Sequence, residues 1–586
     1  MPHRAGFPLA FAVKAFDLII VNAYSSINLK RQGKASMEAN VAMPRIDAGP
    51  TLSRKEERQV VVASTLGTLF EWYDFFIYGT LAVFMSQVLF PQDNPTVALL
   101  AALGALAVGF IIRPLGAVMF GYLGDKLGRK YTFLITVVMM GGATVLIGCL
   151  PTYESAGHLS WILLLTLRVV QGLAVGGEYG GAVIYVAEHC EPRRRGLLTG
   201  WIQITSSAGL ILSLVVILCV QASMSAEDFR QWGWRLPFIL SIVMLAISIY
   251  VRAKLHESPV FTRMKQQNRL SKNPVKETFG QWPSLRLVLL ALIGVTAGQG
   301  ATYFTGQFYV MIFLQQAVQL DQTTVYTLIL IGFIIGAPTF VLFGWLSDKV
   351  GRKWIMMAGL FIGAVGYHAM FNVLLNAGNP ALAQAMHTTP VRVHADTTGG
   401  ACDFGLQAAM IGSHADHKKV CVQAKKFLVG KGINFEYAAP IPEQEIAMSV
   451  GGATVNGFDR SAYAKALTAA GYPEKADPAR IDRATIILIL VLMTAVVAMV
   501  YGPVASYLVE LFPARIRYTA LSFPYHIGAG IFGGIVPFTA TYLAQASGNI
   551  FGGLMYPVTV MVIVGVIGSL LLPNTRAKAI DEDPAH

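Results

Sequence analysis

One decapeptide pattern is written twice in this 586-residue chain. It reads Gly121-Tyr122-Leu123-Gly124-Asp125-Lys126-Leu127-Gly128-Arg129-Lys130 and then Gly344-Trp345-Leu346-Ser347-Asp348-Lys349-Val350-Gly351-Arg352-Lys353, the copies 223 residues apart and each lodged between long apolar runs. A glycine-rich Asp/Lys/Arg loop of fixed length permits a tight reversal between two spanning helices, while its cations stay at the cytoplasmic surface and its Asp caps or pairs locally. A merely charged loop would explain one copy. Two copies in the same setting mark a duplicated membrane protein.

Composition agrees. Charged residues are 13% of the chain, against roughly 25% in soluble globular domains. The net charge of +12 does not point to nucleic acid, because the Lys and Arg blocks sit at the ends of apolar runs rather than on one soluble face. Runs long enough to cross a hydrocarbon core, about 20 residues each, fall near 60–89, 97–120, 131–150, 160–187, 197–221 and 234–251. A second six lie near 286–314, 323–346, 354–376, 484–511, 517–545 and 551–573. Alternate loops (54–58, 126–130, 193–195, 252–286, 349–353, 515–517 and 576–578) hold 24 Lys and Arg, whereas the opposite short loops hold only Arg230 and Arg235. The positive-inside rule therefore places both termini in the cytoplasm.

The expected fold is an all-α membrane protein with twelve transmembrane helices in two six-helix halves and a small α/β periplasmic insertion between helices nine and ten. Its parts are a cytoplasmic tail 1–59, a first half 60–251, a basic linker 252–285, helices seven to nine over 286–376, the insert 377–483, helices ten to twelve over 484–573 and a tail 574–586. The insertion follows from a second landmark, Glu188 to Gly196 after helix four and Glu510 to Arg517 after helix ten. Its offset of 322 exceeds the first by 99 residues. Within the insert, 413–429 and 461–471 have helical spacing, and 433–437 and 445–450 read as strands. Near the other end, the stretch Phe7–Val21 is apolar but carries Lys14 and Asp17 and is too short to span. A start at Met37 or Met43 is the more ordinary expectation.

Cys402 and Cys421 both fall in the exported insert. In an oxidising periplasm a disulfide between them is favoured over a zinc site with His414 and His417, whose spacing matches no firm ligand pattern. No metal and no cofactor is expected.

Ionisable groups inside spanning helices are expensive and therefore functional candidates. In helix one Gly67, Glu71, Asp74 and Tyr78 share a face. Asp74 stands 14 residues beyond Val60, about 21 Å along the helix, near mid-bilayer. Helix two carries Arg113 before Pro114, and helix four carries Arg168, Gln171 and Glu178 among glycines at 172, 176 and 180, which are read as packing. Taken as one site, the three carboxylates face two guanidiniums. A carboxylate without a counter-charge in low dielectric binds a proton near neutral pH and can load and release it as access alternates. A wholly structural network joining helices one, two and four is the rival, and Arg168 and Asp125 fit it. The second half offers a hydrogen-bonding wall, with Gln299, Tyr303, Thr305, Gln307 and Tyr309 in helix seven and Tyr525 and His526 in helix eleven. His526 is read as a satisfied buried histidine.

The segments Gly67-Thr68-Leu69-Phe70-Glu71-Trp72-Tyr73-Asp74-Phe75, Arg113-Pro114-Leu115-Gly116, Arg168-Val169-Val170-Gln171-Gly172, Gly176-Gly177-Glu178-Tyr179 and Glu257-Ser258-Pro259, with the two decapeptides, resemble the metabolite:H⁺ symporter family of the major facilitator superfamily over 60–376 and 484–575. The resemblance implies a twelve-helix monomer that alternately opens a central cavity and imports a small polar metabolite with a proton as coupling ion. Glu71, Asp74, Arg113, Arg168 and Glu178 would line the cavity, and Asp125, Arg129, Asp348 and Arg352 would belong to the gating loops. Substrates in that family include organic acids such as shikimate and zwitterionic osmolytes such as proline and betaine. Arg113 favours an acid. So does the absence of heptads in the 13 residues after Pro573, since the osmolyte branch often ends in a coiled coil. The insert departs from the family's compact members.

An enzyme would need a nucleophile–base or metal constellation at mid-depth, and none is written here. A transporter-fold sensor with a ligand-binding cap is the other rival; the longest inner loop, 252–286, leaves it no signalling domain.

Overall fold

The computed structural model describes residues 54–91, 95–253, 257–396, 402 and 420–575. Among them are twelve helices long and apolar enough to cross a membrane. The first six are Val60–Ala82, Gly104–Leu127, Lys130–Gly148, Leu159–His189, Pro192–Ala222 and Arg235–Ala253; the second six are Trp282–Gln316, Gln322–Val350, Arg352–Gly378, Arg483–Leu511, Arg517–Ser547 and Gly552–Leu571. These match the twelve expected runs in order.

Both decapeptides turn on glycine. Gly128 has φ +119° and Gly351 φ +107°, backbone that an L side chain rarely adopts. Each separates a helix ending at Leu127 or Val350 from one starting at Arg129 or Arg352. The helix-four glycines do pack: a Cβ on Gly172 would strike the Gly109 backbone, and one on Gly176 would strike the carbonyl of Arg113, so helices two and four touch backbone to backbone. Helices seven and eleven contain wide π turns at Leu292–Thr296, Thr305–Tyr309 and Ile527–Gly533. Such turns interrupt the regular ladder and often mark functional positions.

The basic linker begins later than its composition suggests. Arg252 is not a surface cation: it closes helix six and is buried, while helix seven starts at Trp282. Between them lie two short helices, Pro259–Gln266 and Pro274–Gly280, each capped by the side chain that precedes it, Ser258 and Asn273.

The insert is a four-stranded sheet with flanking helices. Strands β1 (Val391–Ala395), β2 (Phe435–Ala438), β3 (Ile446–Val450) and β4 (Ala453–Asn456) are ordered β2-β1-β3-β4, with β1 and β2 parallel and the other pairs antiparallel. The helix Val420–Gly430 supplies the crossover between the parallel strands, and Arg460–Ala469 follows β4. Both expected strands and both expected helices are present; residues 413–419 of the first helix lie outside the described residues. Strand β1, with alternating buried and exposed residues, and the mostly exposed β4 are additional to the expected strands. Cys402 and Cys421 form a disulfide, with Cα atoms 5.2 Å apart, so their sulfurs are not free for zinc. His414, His417 and residues 1–53, including Met37 and Met43, lie outside the described residues.

The docking hydrogen bonds of the insert end on the C-terminal half, opposite the 344–353 loop. Phe435 N donates to Gly548 O at 3.1 Å, Ile550 N to Asn434 Oδ1 at 2.8 Å, and Gln319 Nε2 to Gly430 O at 2.9 Å. Lys425 Nζ reaches both Cys402 O and Ala546 O at 3.1 Å, tying the disulfide loop to the last turn of helix eleven.

Candidate transport site and its gate

The helix-one stripe faces the interior of the first half. Glu71, Asp74 and Glu178 are all buried, and none points outward. They do not share their counter-charges as the sequence suggested. Arg252, from the end of helix six, binds Glu71 through Nη2 and Glu178 through Nη1, the latter at 2.6 Å. Gly67 makes the approach possible: a Cβ there would lie 2.7 Å from Arg252 Nε. Asp74 stands apart from that guanidinium and accepts a 2.5 Å hydrogen bond from Ser241 of helix six.

Arg113 and Arg168 form a separate cationic pair on the other side of Phe75, whose ring lies 4.1 and 5.0 Å from their guanidinium carbons. Arg168 is fixed within its half. Its Nη1 donates to Gln171 Oε1 at 2.7 Å, Gln171 Nε2 donates to Thr144 Oγ1 at 2.8 Å, and Tyr78 lies under the guanidinium. Arg113 is different. It is 1% exposed, packed against the adjacent rings of Phe75 and Phe110 at 4.1 and 4.3 Å, and among the described residues its Nε and Nη2 have no hydrogen-bond partner. Its electrostatic neighbours are Tyr303, Tyr501 and Tyr525 of the second half. A buried guanidinium with unpartnered N–H groups beside two aromatic rings is a ready hydrogen-bond donor to a carboxylate.

These tyrosines line the seam between the halves. Tyr179 stacks on Tyr525 with ring centroids 3.5 Å apart, Tyr501 and Tyr525 share a 2.7 Å hydroxyl hydrogen bond, and Gln203 Nε2 donates to Tyr179 OH at 3.0 Å and Tyr501 O at 2.9 Å. Gln299 Oε1, Tyr303 OH and both ring nitrogens of His526 are buried without partners. His526 is thus buried but not satisfied, contrary to its sequence reading. Gln307 Oε1 accepts from Ser207 Oγ at 3.2 Å, and Thr305 is spent on the Ala301 carbonyl. Tyr309 lies near Phe371, within its own half.

One end of the seam is closed by a reciprocal lock. Asp125 accepts hydrogen bonds from Tyr518 N at 3.2 Å and Thr519 N at 3.0 Å, at the start of helix eleven; Asp348 accepts from Gly196 N and Leu197 N, both at 2.8 Å, at the start of helix five. Each aspartate thus holds the amino end of a helix in the opposite half. Outside these contacts lie exchanged ion pairs, Arg517 Nη1 to Glu188 Oε1 and Arg195 Nη1 to Glu510 Oε1, both 2.8 Å. Arg352 grips the same Glu510 with two bonds of 2.8 and 2.7 Å and reaches Asp348 at 2.9 Å. The Arg129 side chain lies outside the described residues.

The model for the sugar (and other) transporter family matches residues 59–279 and 463–584. The chain belongs to that family of the major facilitator superfamily. It is 32% identical over 422 residues to the shikimate transporter of Escherichia coli K12, a match spanning 71% of this chain and 90% of that protein. It is 35% identical to the proline/betaine transporter of Salmonella typhimurium LT2 over 55% of this chain and 65% of that protein. The proton:xylose symporter XylE, bound to 6-bromo-6-deoxy-D-glucose, superposes with a TM-score of 0.61 over 91% of this chain and 99% of that chain at 16% identity, and so shares the fold.

As a member of this family the chain is a multi-pass inner-membrane transporter rather than an enzyme. Sequence reasoning missed several of its site residues. Hydropathy places Arg252 among the loop cations because it lies one residue beyond the apolar run; its signal is the helical register that carries helix six to Ala253. Ser241 and Tyr501 give no sequence signal. Glu188, Arg195, Glu510 and Arg517 do, since each pair recurs at the same offset of 322 that marked the duplication.

Proposed function

We propose that this transporter is a proton-coupled symporter that imports a small organic anion by alternating access, with both termini cytoplasmic, the insert periplasmic and the monomer as the working unit. The carrying observation is Arg113, a fully buried cation at the seam whose Nε and Nη2 have no hydrogen-bond partner among the described residues and whose electrostatic neighbours are tyrosines and Arg168 rather than a carboxylate. An uncompensated buried charge costs about 3–5 kcal/mol, and a substrate carboxylate offsets it. Asp74 is the proposed proton site. Arg252 is committed to Glu71 and Glu178, and Asp74 has Ser241 as its hydrogen-bond partner. Glu71, Glu178 and Arg252 then act as the scaffold that keeps Asp74 in place.

A second reading has its own observation. The stacked Tyr179–Tyr525 pair with Tyr501 and Tyr303 provides aromatic faces of the sort that hold quaternary ammonium groups, so a zwitterion placed with its carboxylate on Arg113 would suit the same seam. Uptake into proteoliposomes separates the readings. Labelled shikimate accumulating under an inward proton gradient, with glycine betaine failing to compete, supports the organic anion. Glycine betaine accumulating instead selects the zwitterion, and accumulation of either without a proton gradient refutes symport.

A further inference from the structure

The face that carries the reciprocal lock holds a second basic feature, unconnected with the seam. Beside the linker helix Pro274–Gly280 lies a cleft of about 490 Å³, lined by Arg269, Ser271, Lys272, Lys276, Glu277 and Arg515. Four cations meet one carboxylate there, and that carboxylate, Glu277, is paired with Arg515. Among the described residues Lys272 and Lys276 enter no ion pair, and both are exposed. Ser271, which also lines the cleft, is more than nine-tenths buried. Two exposed lysines without ion-pair partners at the mouth of a cleft fit an oxyanion.

Depth narrows the ligand class. Helix seven begins at Trp282, next to the cleft-lining Gln281, and its indole is 67% exposed. Exposed tryptophans at helix ends sit at headgroup level. We propose that this cleft binds a phosphate-bearing anion, gripped by Lys272 and Lys276. A lipid phosphodiester and a soluble phosphate share that chemistry. The site bridges the linker and the loop between helices ten and eleven, two residues before Arg517 of the gate.

The test uses the full chain in phosphatidylcholine nanodiscs and a Lys272→Gln/Lys276→Gln variant, both lysines being exposed and outside the transport site. In one arm phosphatidylglycerol retained after detergent extraction is counted by native mass spectrometry; in the other, inorganic phosphate is titrated by calorimetry. The double variant is expected to bind about tenfold to thirtyfold more weakly in one arm, from two lysines near a membrane surface, with phosphatidylcholine retention unchanged. Loss confined to phosphatidylglycerol assigns a lipid headgroup, and loss confined to inorganic phosphate assigns a soluble anion. Equal binding by wild type and variant in both arms, or no binding in either, overturns the proposal.

Discussion

Arg195→Gln tests the reciprocal lock most cleanly, because it removes one bond between the halves without stranding its partner. Arg195 Nη1 lies 2.8 Å from Glu510 Oε1, and Glu510 keeps its two bonds to Arg352 of its own half. Arg195 Nε also donates to Ala187 O at 3.3 Å, within its own half; between the halves the loss is one buried charge-assisted hydrogen bond rather than an orphaned carboxylate, about 2 kcal/mol or some thirtyfold in population. A wild type closed at this face in a ratio of about 99:1 would shift to roughly 3:1, leaving near a quarter of molecules open. Spin labels at Lys126→Cys and Lys349→Cys, exposed positions in the two decapeptides, read the separation by double electron–electron resonance once the native free cysteines Cys149, Cys190 and Cys219 are replaced. A second, longer distance population is expected in Arg195→Gln, and a larger one when Arg517→Gln is added, since the two ion pairs are separate. Distance distributions identical to wild type in both variants would refute the idea that these pairs hold the halves together.

Three further outcomes bear on the transport site and the insert. Asp74→Asn is expected to abolish accumulation driven by a proton gradient while preserving substrate exchange; uphill uptake by the variant would remove Asp74 from coupling. Arg113→Lys keeps the charge but loses the planar fork, so carboxylate binding measured by thermal shift is expected to weaken about tenfold to a hundredfold, and unchanged affinity would remove Arg113 from the substrate. The Cys402→Ser/Cys421→Ser variant opens a loop with a sequence separation of 19, which destabilises the insert by about 3 kcal/mol in the chain-entropy account. Limited proteolysis should then cut the insert while the twelve helices stay inserted, and equal protease resistance of both proteins would contradict a stabilising role for the bridge.

The spans, the duplication and the position of the insert are legible in the sequence because each depends on periodicity and count: apolar runs of spanning length, repeat offsets of 223 and 322 whose difference is the insert, and a charge bias between loops. Helix-one spacing also placed Glu71, Asp74 and Tyr78 on one buried face. Pairing was not legible. The sequence sets Arg113 and Arg168 against the carboxylates because they lie in mid-helix, whereas the structure gives Glu71 and Glu178 to Arg252, a residue that hydropathy assigns to the linker. A guanidinium on a long side chain can lie several ångströms from its own Cα, so position along the chain fixes the depth of the backbone and not of the charge. The same reach explains why Arg195, Arg352 and Arg517, counted as surface cations for topology, are buried in the gate.

The two offsets together explain how the fold tolerates so large an insertion. The gate pairs are built from residues related by 223 at the aspartates, Asp125 and Asp348, and by 322 at the helix ends they hold, Gly196–Leu197 and Tyr518–Thr519. The extra residues fall between those landmarks in sequence, yet they leave the pairing symmetric because they enter at the end of helix nine remote from the gate. Among the described residues their docking bonds go to Gln319, Ala546 and Gly548, all in the C-terminal half. A domain tied to one half rides with it when the halves rock and opposes the motion only by what it touches on the other. Transport by alternating access is thus compatible with a cap of this size, and docking on a single half is the condition that makes it so.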